Sequence, residues 1–318
     1  MFHTLMVPLD GSEFGRHAIP WALAIAEPAD ALVDLVHVHT PPYGMGAVDD
    51  MLVLPEVREA QRETAERTLS DLADRLRIGT GVRFRAAVVE GDAADALARY
   101  AAATAIDLIV MTTHGRTGLA RALLGSVSDG VVRHSHRPVL LARPSRHRPE
   151  EHDPAAVSEV LVLLDGTEAS ESILDPAIEL CRLTGAACTL LHVVVPELLL
   201  TGVAVPRALA DERASLADER LTETYLTSQA VRVREAHVPV STAVARHPDL
   251  TEGILEFCAT HPVSLIALAT RDRAGAERAV LGSISDALLH KTHLPILAVA
   301  TRSDHAESHI DQAHRQQP

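Results

Sequence analysis

The chain has 318 residues, 47% hydrophobic and 23% charged, so it can bury sizeable cores, and its length favours two domains over one. A formal net charge of −14 and a pI near 5.7 exclude a protein whose main business is general contact with nucleic acid or an anionic membrane, where like charges repel. The N-terminus MFHTLMVPLDGSE lacks the regions of a signal peptide, and no apolar run approaches the roughly 20 residues that span a bilayer, so a cytoplasmic location is expected.

Strand and helix patterns alternate along the chain. Residues 4–9 form an apolar strand that ends in Asp10-Gly11-Ser12. A helix over 15–26 follows, with Ala18, Ala22, Leu23 and Ile25 on one face, and then a strand over 31–38. A Pro- and Gly-rich excursion over 39–54 leads to a strongly amphipathic helix over 56–78, with Val57, Ala60, Thr64, Leu69, Leu72 and Leu76 near one face. A third strand over 82–89 runs into Gly91-Asp92, which opens a helix over 93–103 with Asp92 as its cap.

Residues 108–142 then read as strand, glycine-punctuated loop, helix and strand. The run 108–110 fits a buried parallel strand, and Thr112 to Gly118 are small, polar and glycine-bearing. Val127, Val131 and Val132 recur at helical spacing behind Gly125, and Ser126 and Ser128 suit a helix start. Backbone N–H groups at glycines ahead of a helix form an anion site, so this loop is expected to hold phosphate. Pro138 closes the turn before a last strand over 139–142. The order β-α-β-α-β-α-β-α-β predicts an α/β fold with a parallel, doubly wound, five-stranded sheet.

The chain then repeats itself. VLVLLDGTEAS at 160–170 matches LMVPLDGSEFG at 5–15, so Asp165-Gly166-Thr167 corresponds to Asp10-Gly11-Ser12. TLLHVV at 189–194 matches DLVHVH at 34–39, and a second long helix spans 212–228. Adding 157 maps Gly125-Ser126 onto Gly282-Ser283, Asp129 onto Asp286 and Pro138 onto Pro295. The division that follows is a first domain over 1–144, a polar linker over 145–158, a second domain over 159–301 and a polar tail over 302–318. Cys181, Cys188 and Cys258 show no C-x-x-C spacing and read as buried thiols in a reducing compartment.

V-P-L-D-G-S at the first strand end, L-V-H-V at the second, H-G-R-T-G, L-L-G-S-V-S and R-P-V-L-L together resemble the universal stress protein family, in a tandem two-domain arrangement covering both halves. Nucleotide-binding members carry a G-x2-G-x9-G-[S/T] loop around the phosphates. The resemblance therefore implies an adenine nucleotide as ligand, ATP or AMP, with or without Mg2+, and a role as stress-response sensor or partner-binding switch. In the first domain Gly115 and Gly125-Ser126 fit the motif, while Thr112 stands at the first glycine. His114, Arg116, Gly118 and Val127 belong to the same phosphate-side stretch. Asp10 is implied to face the nucleoside, and the Val38 backbone to pair with the adenine edge. The plainer readings are that Asp10 caps the following helix, that Val38 is strand core, and that the glycines serve turns. A degenerate second site would use Asp165, Val193, Gly282 and Ser283, but Ala269 and Asp272 replace its first two glycines. Asp272 would bring a carboxylate toward phosphate at a cost on the order of a few kcal/mol.

His37 and His39 alternate on one strand face, but no third metal ligand at suitable spacing accompanies them. There is no G-x-x-x-x-G-K-[S/T], H-R-D, D-F-G or G-x-S-x-G motif, so a protein that grips adenosine without a built-in hydrolytic machine is expected, rather than an enzyme. The rival readings are a nucleotide-free dimeric interaction module with an unknown protein partner, and a weak ATPase. By the resemblance, the final strands over 139–142 and 295–299 support domain pairing or a homodimer.

Overall fold

The computed structural model describes residues 1–40, 55–113, 125–142, 157–196, 208–272 and 283–302. The chain divides into two compact units, Met1–Ala155 and Ala156–Pro318. Unit 1 runs β1 (Thr4–Pro8), a 3-10 turn (Gly15–His17), α1 (Ala18–Ala29), β2 (Leu32–His39), α2 (Pro55–Thr80), β3 (Arg83–Glu90), α3 (Ala93–Ala103), β4 (Leu108–Thr112), α4 (Ser126–His134) and β5 (Val139–Ala142). Unit 2 runs β6 (Glu159–Leu163), α5 (Glu168–Glu171), α6 (Leu174–Thr184), β7 (Ala187–Val194), α7 (Ala208–Glu235), β8 (Val240–Arg246), α8 (Leu250–Thr260), β9 (Leu265–Asp272), α9 (Ser283–Lys291) and β10 (Ile296–Arg302).

Within unit 1 the strand order is β3-β2-β1-β4-β5, with every pairing parallel. Unit 2 has the same order, β8-β7-β6-β9-β10, also parallel. The chain begins in the middle of the sheet at β1, winds outward to β3, and returns to lay β4 on the other side of β1. That reversal makes a crevice outside the carboxyl ends of β1 and β4, the place where open α/β sheets take ligands. β4 and β5 are buried along their whole length, as strands covered by helices on both faces must be.

Several elements run further than their local patterns predict. β2 continues through His39, and β10 through Arg302, so the polar tail beyond the structured part begins later than expected. α2 spans Pro55–Thr80; of the apolar face expected along it, Leu69 is buried among the described residues, with Ala73 beside it, while Val57 is 45% exposed. α2 packs against β3 and β2, and Arg77 in its last turn donates to the Phe84 carbonyl of β3 at 3.1 Å. Residues 41–54, the linker through 156 and the tail from 303 lie outside the described residues.

One buried ionic cluster distinguishes unit 1. Asp34, in the middle of β2, is 0% exposed. Arg85 stands directly across from it on β3 and forms a two-pronged ion pair, Nε donating to Oδ1 at 2.9 Å and Nη2 to Oδ2. The Tyr100 hydroxyl of α3 donates to the same Oδ2 at 3.0 Å. A buried carboxylate requires such partners. Unit 2 fills these positions with uncharged residues: Thr189 and Ser241 face each other with hydroxyls 2.7 Å apart, Phe257 stands where the repeat places Tyr100, and the carboxylate of the group comes instead from Glu159 on β6, which accepts from the Thr189 hydroxyl.

Burial, followed by the Asp34 charge, pushes the Tyr100 phenol from its ordinary 10.0 up to about 12. The folded state therefore holds this proton more tightly than the unfolded chain. As pH rises from 10 toward 12 the unfolded state ionises first, so stability present below pH 10 is lost across that interval. Urea unfolding at pH 9 and at pH 11.5 should show a smaller drop in Tyr100→Phe than in the parent, and equal drops would remove Tyr100 as a cause.

Candidate functional site

Asp10 lies two residues past the end of β1, and Gly11 turns the chain with a left-handed φ of +81°, a conformation that favours glycine. Asp10 Oδ1 then accepts from the Ser12 N–H at 2.9 Å and from Ser12 Oγ at 2.6 Å. Ser12 Oγ in turn accepts from the Gly15 N–H at 3.0 Å. Asp10 thus fixes the turn into α1, as its plainer reading holds, while it also lines a cavity. Gly15 is part of this arrangement: a Cβ there would sit 2.9 Å from Asp10 Oδ1. The repeat differs here: Ser170 stands at the Gly15 position, and its Oγ accepts from the Asp165 N–H at 3.2 Å.

The cavity has a volume of about 490 Å³ and opens at the carboxyl ends of β1, β2 and β4. It brings together Asp10, Val38, Thr112, Gly125, Ser126 and Val127 from four separate stretches of sequence. The volume is in the range of small-molecule sites, about 300–1,000 Å³. His114, Gly115, Arg116 and Gly118 lie outside the described residues.

β2 outruns β1 on this rim. Pairing ends at Pro8 and Val36, with one further bond from the Leu9 N–H to the Val36 carbonyl at 2.8 Å. Peptide groups alternate sides along a strand, so the N–H and C=O of Val38 point to the same side as those of Val36, where β1 has already turned away. An extended ligand edge can be read by that peptide.

Thr112 ends β4 in extended backbone, in register with Ala142. Its Cβ therefore meets none of the penalty that positive φ would impose at this glycine position. The Thr112 carbonyl accepts from the buried Ser128 Oγ at 3.0 Å, which fastens the start of α4 to the end of β4. Gly125 is the N-cap of α4 with φ −60° and no side-chain cap, so neither Ser126 nor Ser128 caps the helix. The Gly125 N–H is committed to the Thr113 carbonyl at 2.8 Å. The first amide drawn into the helix ladder is that of Asp129, which donates to the Gly125 carbonyl at 3.0 Å. The amides of Ser126, Val127 and Ser128 precede it at the helix start, and all three residues line the cavity, which makes this turn a ready anion cradle. Donation thus comes from the first turn and not from the glycine. Asp129 adds a negative charge to that turn, but Arg133 pairs with it one turn on. α4 comes close to α3 at Gly130, where a Cβ would be 2.5 Å from Ala94 Cβ.

Sequence reasoning did not place Ala93 and Leu97 of α3, or His37 and His39 as cavity-lining residues rather than a metal pair. Among the described residues no group of three metal-ligating side chains occurs, and no helix is long and apolar enough to cross a membrane. His37 Nδ1 lies 2.8 Å from the Leu9 carbonyl. His39 Nε2 is shielded from solvent and has no hydrogen-bond partner among the described residues. A group left this way carries a desolvation cost of about 1–3 kcal/mol.

Unit 2 keeps the turn but changes the rim. Asp165 Oδ1 accepts from the Thr167 N–H at 3.0 Å and from Thr167 Oγ1 at 2.5 Å. Val193 pairs with Ala245 on β8, and its Cγ1 lies 3.0 Å from where a Cβ on Gly253 would be. Asp272, expected in a loop at the central glycine position, is the last residue of β9 and pairs in register with Arg302. β9 thus carries three residues of strand beyond Ala269, the counterpart of Thr112, where β4 ends. Ser283 begins α9, and Gly282 lies outside the described residues. Cys181 and Cys188 are buried as expected, and Cys258 is half-buried. Burial raises the Cys258 thiol to about 11, which keeps it protonated.

A universal stress protein of Methanocaldococcus jannaschii is 31% identical over 145 residues, which is 45% of this chain and 83% of its own. One from Mycobacterium tuberculosis is 26% identical over 325 residues, covering 95% of this chain and 96% of that protein. The crystal structure of a universal stress protein from Archaeoglobus fulgidus shares the fold with a TM-score of 0.67, over 93% of this chain and 98% of that one, at 18% identity. The sequence profile of the universal stress protein family matches twice, over residues 1–143 and 157–300. With both repeats and nearly the whole chain accounted for, this protein belongs to the universal stress protein family.

Proposed function

We propose that unit 1 binds an adenine nucleotide, ATP or AMP, and that the chain acts as a cytoplasmic stress-response sensor or partner-binding switch rather than as an enzyme. The observation that carries this reading is the convergence on one cavity of Asp10, the Val38 peptide and the first turn of α4. The three suit the three parts of a nucleotide. The Val38 peptide meets a base edge, the Asp10 carboxylate accepts from ribose hydroxyls or an amino group, and the amides of α4 meet phosphate. Mg2+ would accompany the phosphates of ATP, without a protein cage among the described residues. Unit 2 repeats the scaffold with a longer β9, and we assign it no nucleotide. A homodimer through the final strands belongs to the same reading.

Calorimetric titration of the full chain with ATP and AMP tests the proposal. One nucleotide bound per chain is expected, and so is adenine nucleotide in the mass spectrum of small molecules released from the denatured protein. No binding at millimolar ATP, with none released, would leave the nucleotide-free interaction module as the reading. Phosphate release in steady state should run no faster than in buffer.

A further inference from the structure

β2 ends in two imidazoles, His37 and His39, two residues apart and so on one side of the strand. Their surroundings differ. His37 Nδ1 is placed against the Leu9 carbonyl at 2.8 Å, a contact that ties β2 to the end of β1. His39 Nε2 has no partner among the described residues and is closed off from solvent, although the residue borders the cavity.

Among the described residues the scaffold gives this nitrogen no partner. The backbone of His39 pairs with Glu90 on β3, and its carbonyl accepts from the Gly91 N–H at 3.4 Å. Val194 ends β7 in the same way, pairing with Arg246 on β8 and accepting from the His247 N–H at 3.2 Å. Unit 2 therefore builds the same strand end with an apolar side chain. An imidazole kept beside a cavity, with a nitrogen unpaired, calls for a partner that arrives from outside the fold.

Resting on the reading of unit 1 as a nucleotide site, we infer that His39 hydrogen-bonds the nucleoside of the bound nucleotide and is a specificity-determining residue of this chain. A neutral imidazole carries one donor and one acceptor, matching a ribose hydroxyl or a base amino or ring nitrogen. Its χ2 torsion is broad, so the ring can turn its unpaired edge to a ligand held between Asp10 and the Val38 peptide. The contact lies at the β2 rim, away from the α4 amides, and so it acts on the nucleoside and not on the phosphates.

Calorimetry of the full chain with ATP and with adenosine tests this. His39→Val, which copies unit 2, should weaken both ligands by about three- to tenfold, the size of one net hydrogen bond, and His39→Gln should recover most of the loss. 2′-Deoxy-ATP locates the contact: if the 2′-hydroxyl is the partner, His39→Val costs nothing further with that ligand, and an undiminished cost places the contact elsewhere on the nucleoside. Unchanged affinities in His39→Val overturn the inference while leaving the cavity as a nucleotide site. Failure of the parent protein to bind ATP or adenosine overturns both. Should His39→Val not fold, the His39 ring proton resonance in the parent, assigned through His39→Gln, must move on adding adenosine, and an unmoved resonance overturns the inference.

Discussion

Ser126→Asp is expected to lower ATP affinity by about a hundredfold or more while leaving the protein folded. The substitution puts a carboxylate on the first residue of α4, at the amides that face the cavity. Two like charges about 5 Å apart at an effective dielectric near 20 repel by about 3 kcal/mol, and about 1.4 kcal/mol is a factor of ten in affinity. The same carboxylate at a helix N-terminus favours the helix by about 0.3–1 kcal/mol, so loss of fold is not the expected cause. The effect should grade with ligand charge: largest for ATP, smaller for AMP, nearly absent for adenosine. Calorimetry on the three ligands reads this directly. Equal losses across the series would mean that α4 does not meet phosphate. Full ATP affinity in the folded variant would remove α4 from the site altogether.

What the sequence made legible follows the range of the interactions. The Asp10-Gly11-Ser12 turn and the start of α4 at Ser126 depend on residues within a few positions of each other, so their patterns survive in the primary structure. The parallel sheet was readable from the alternation of strand and helix patterns, which the second half repeats. Thr112 was harder: it stands at a glycine position, and only the length of β4 shows that its backbone is extended. Asp272 was misplaced for the complementary reason, since ladder pairing with β10 carries β9 past the point where its counterpart stops. The ionic cluster was not found at all. Arg85 and Tyr100 lie 51 and 66 residues from Asp34, beyond any local period. One signal did exist: an aspartate inside the mostly apolar run LVDLVHVH has to be paired if that run is buried. His39 hid in the same run, because a strand-end imidazole looks the same from sequence whether or not its nitrogens are matched.

That cluster carries the largest expected effect on stability. Arg85→Met should destabilise unit 1 by about 2–3 kcal/mol, because it leaves the Asp34 carboxylate buried with the Tyr100 hydroxyl as its remaining side-chain donor among the described residues. The figure sits at or below the lower end for broken buried pairs because the Arg85 side chain is 47% exposed and already partly hydrated. Asp34→Asn should cost less, since it leaves the cation and not the anion, and that cation reaches water. Unit 2 supplies the reference state. Thr189, Ser241 and Phe257 hold the same three positions without charge, and the carboxylate bonded to Thr189, Glu159, has the neutral Thr4 as its counterpart in unit 1, so Asp34→Thr combined with Arg85→Ser and Tyr100→Phe should recover more than half of the loss seen in Arg85→Met. Recovery of that kind is non-additive, as residues of one network require. The measurement can be confined to unit 1, because the chain's single tryptophan, Trp21, is buried in α1 and its fluorescence reports the unfolding of that unit. Urea unfolding followed at Trp21 should place Arg85→Met well below both the parent and the triple variant. An Arg85→Met midpoint within error of the parent would mean that the ion pair contributes little to the stability of unit 1.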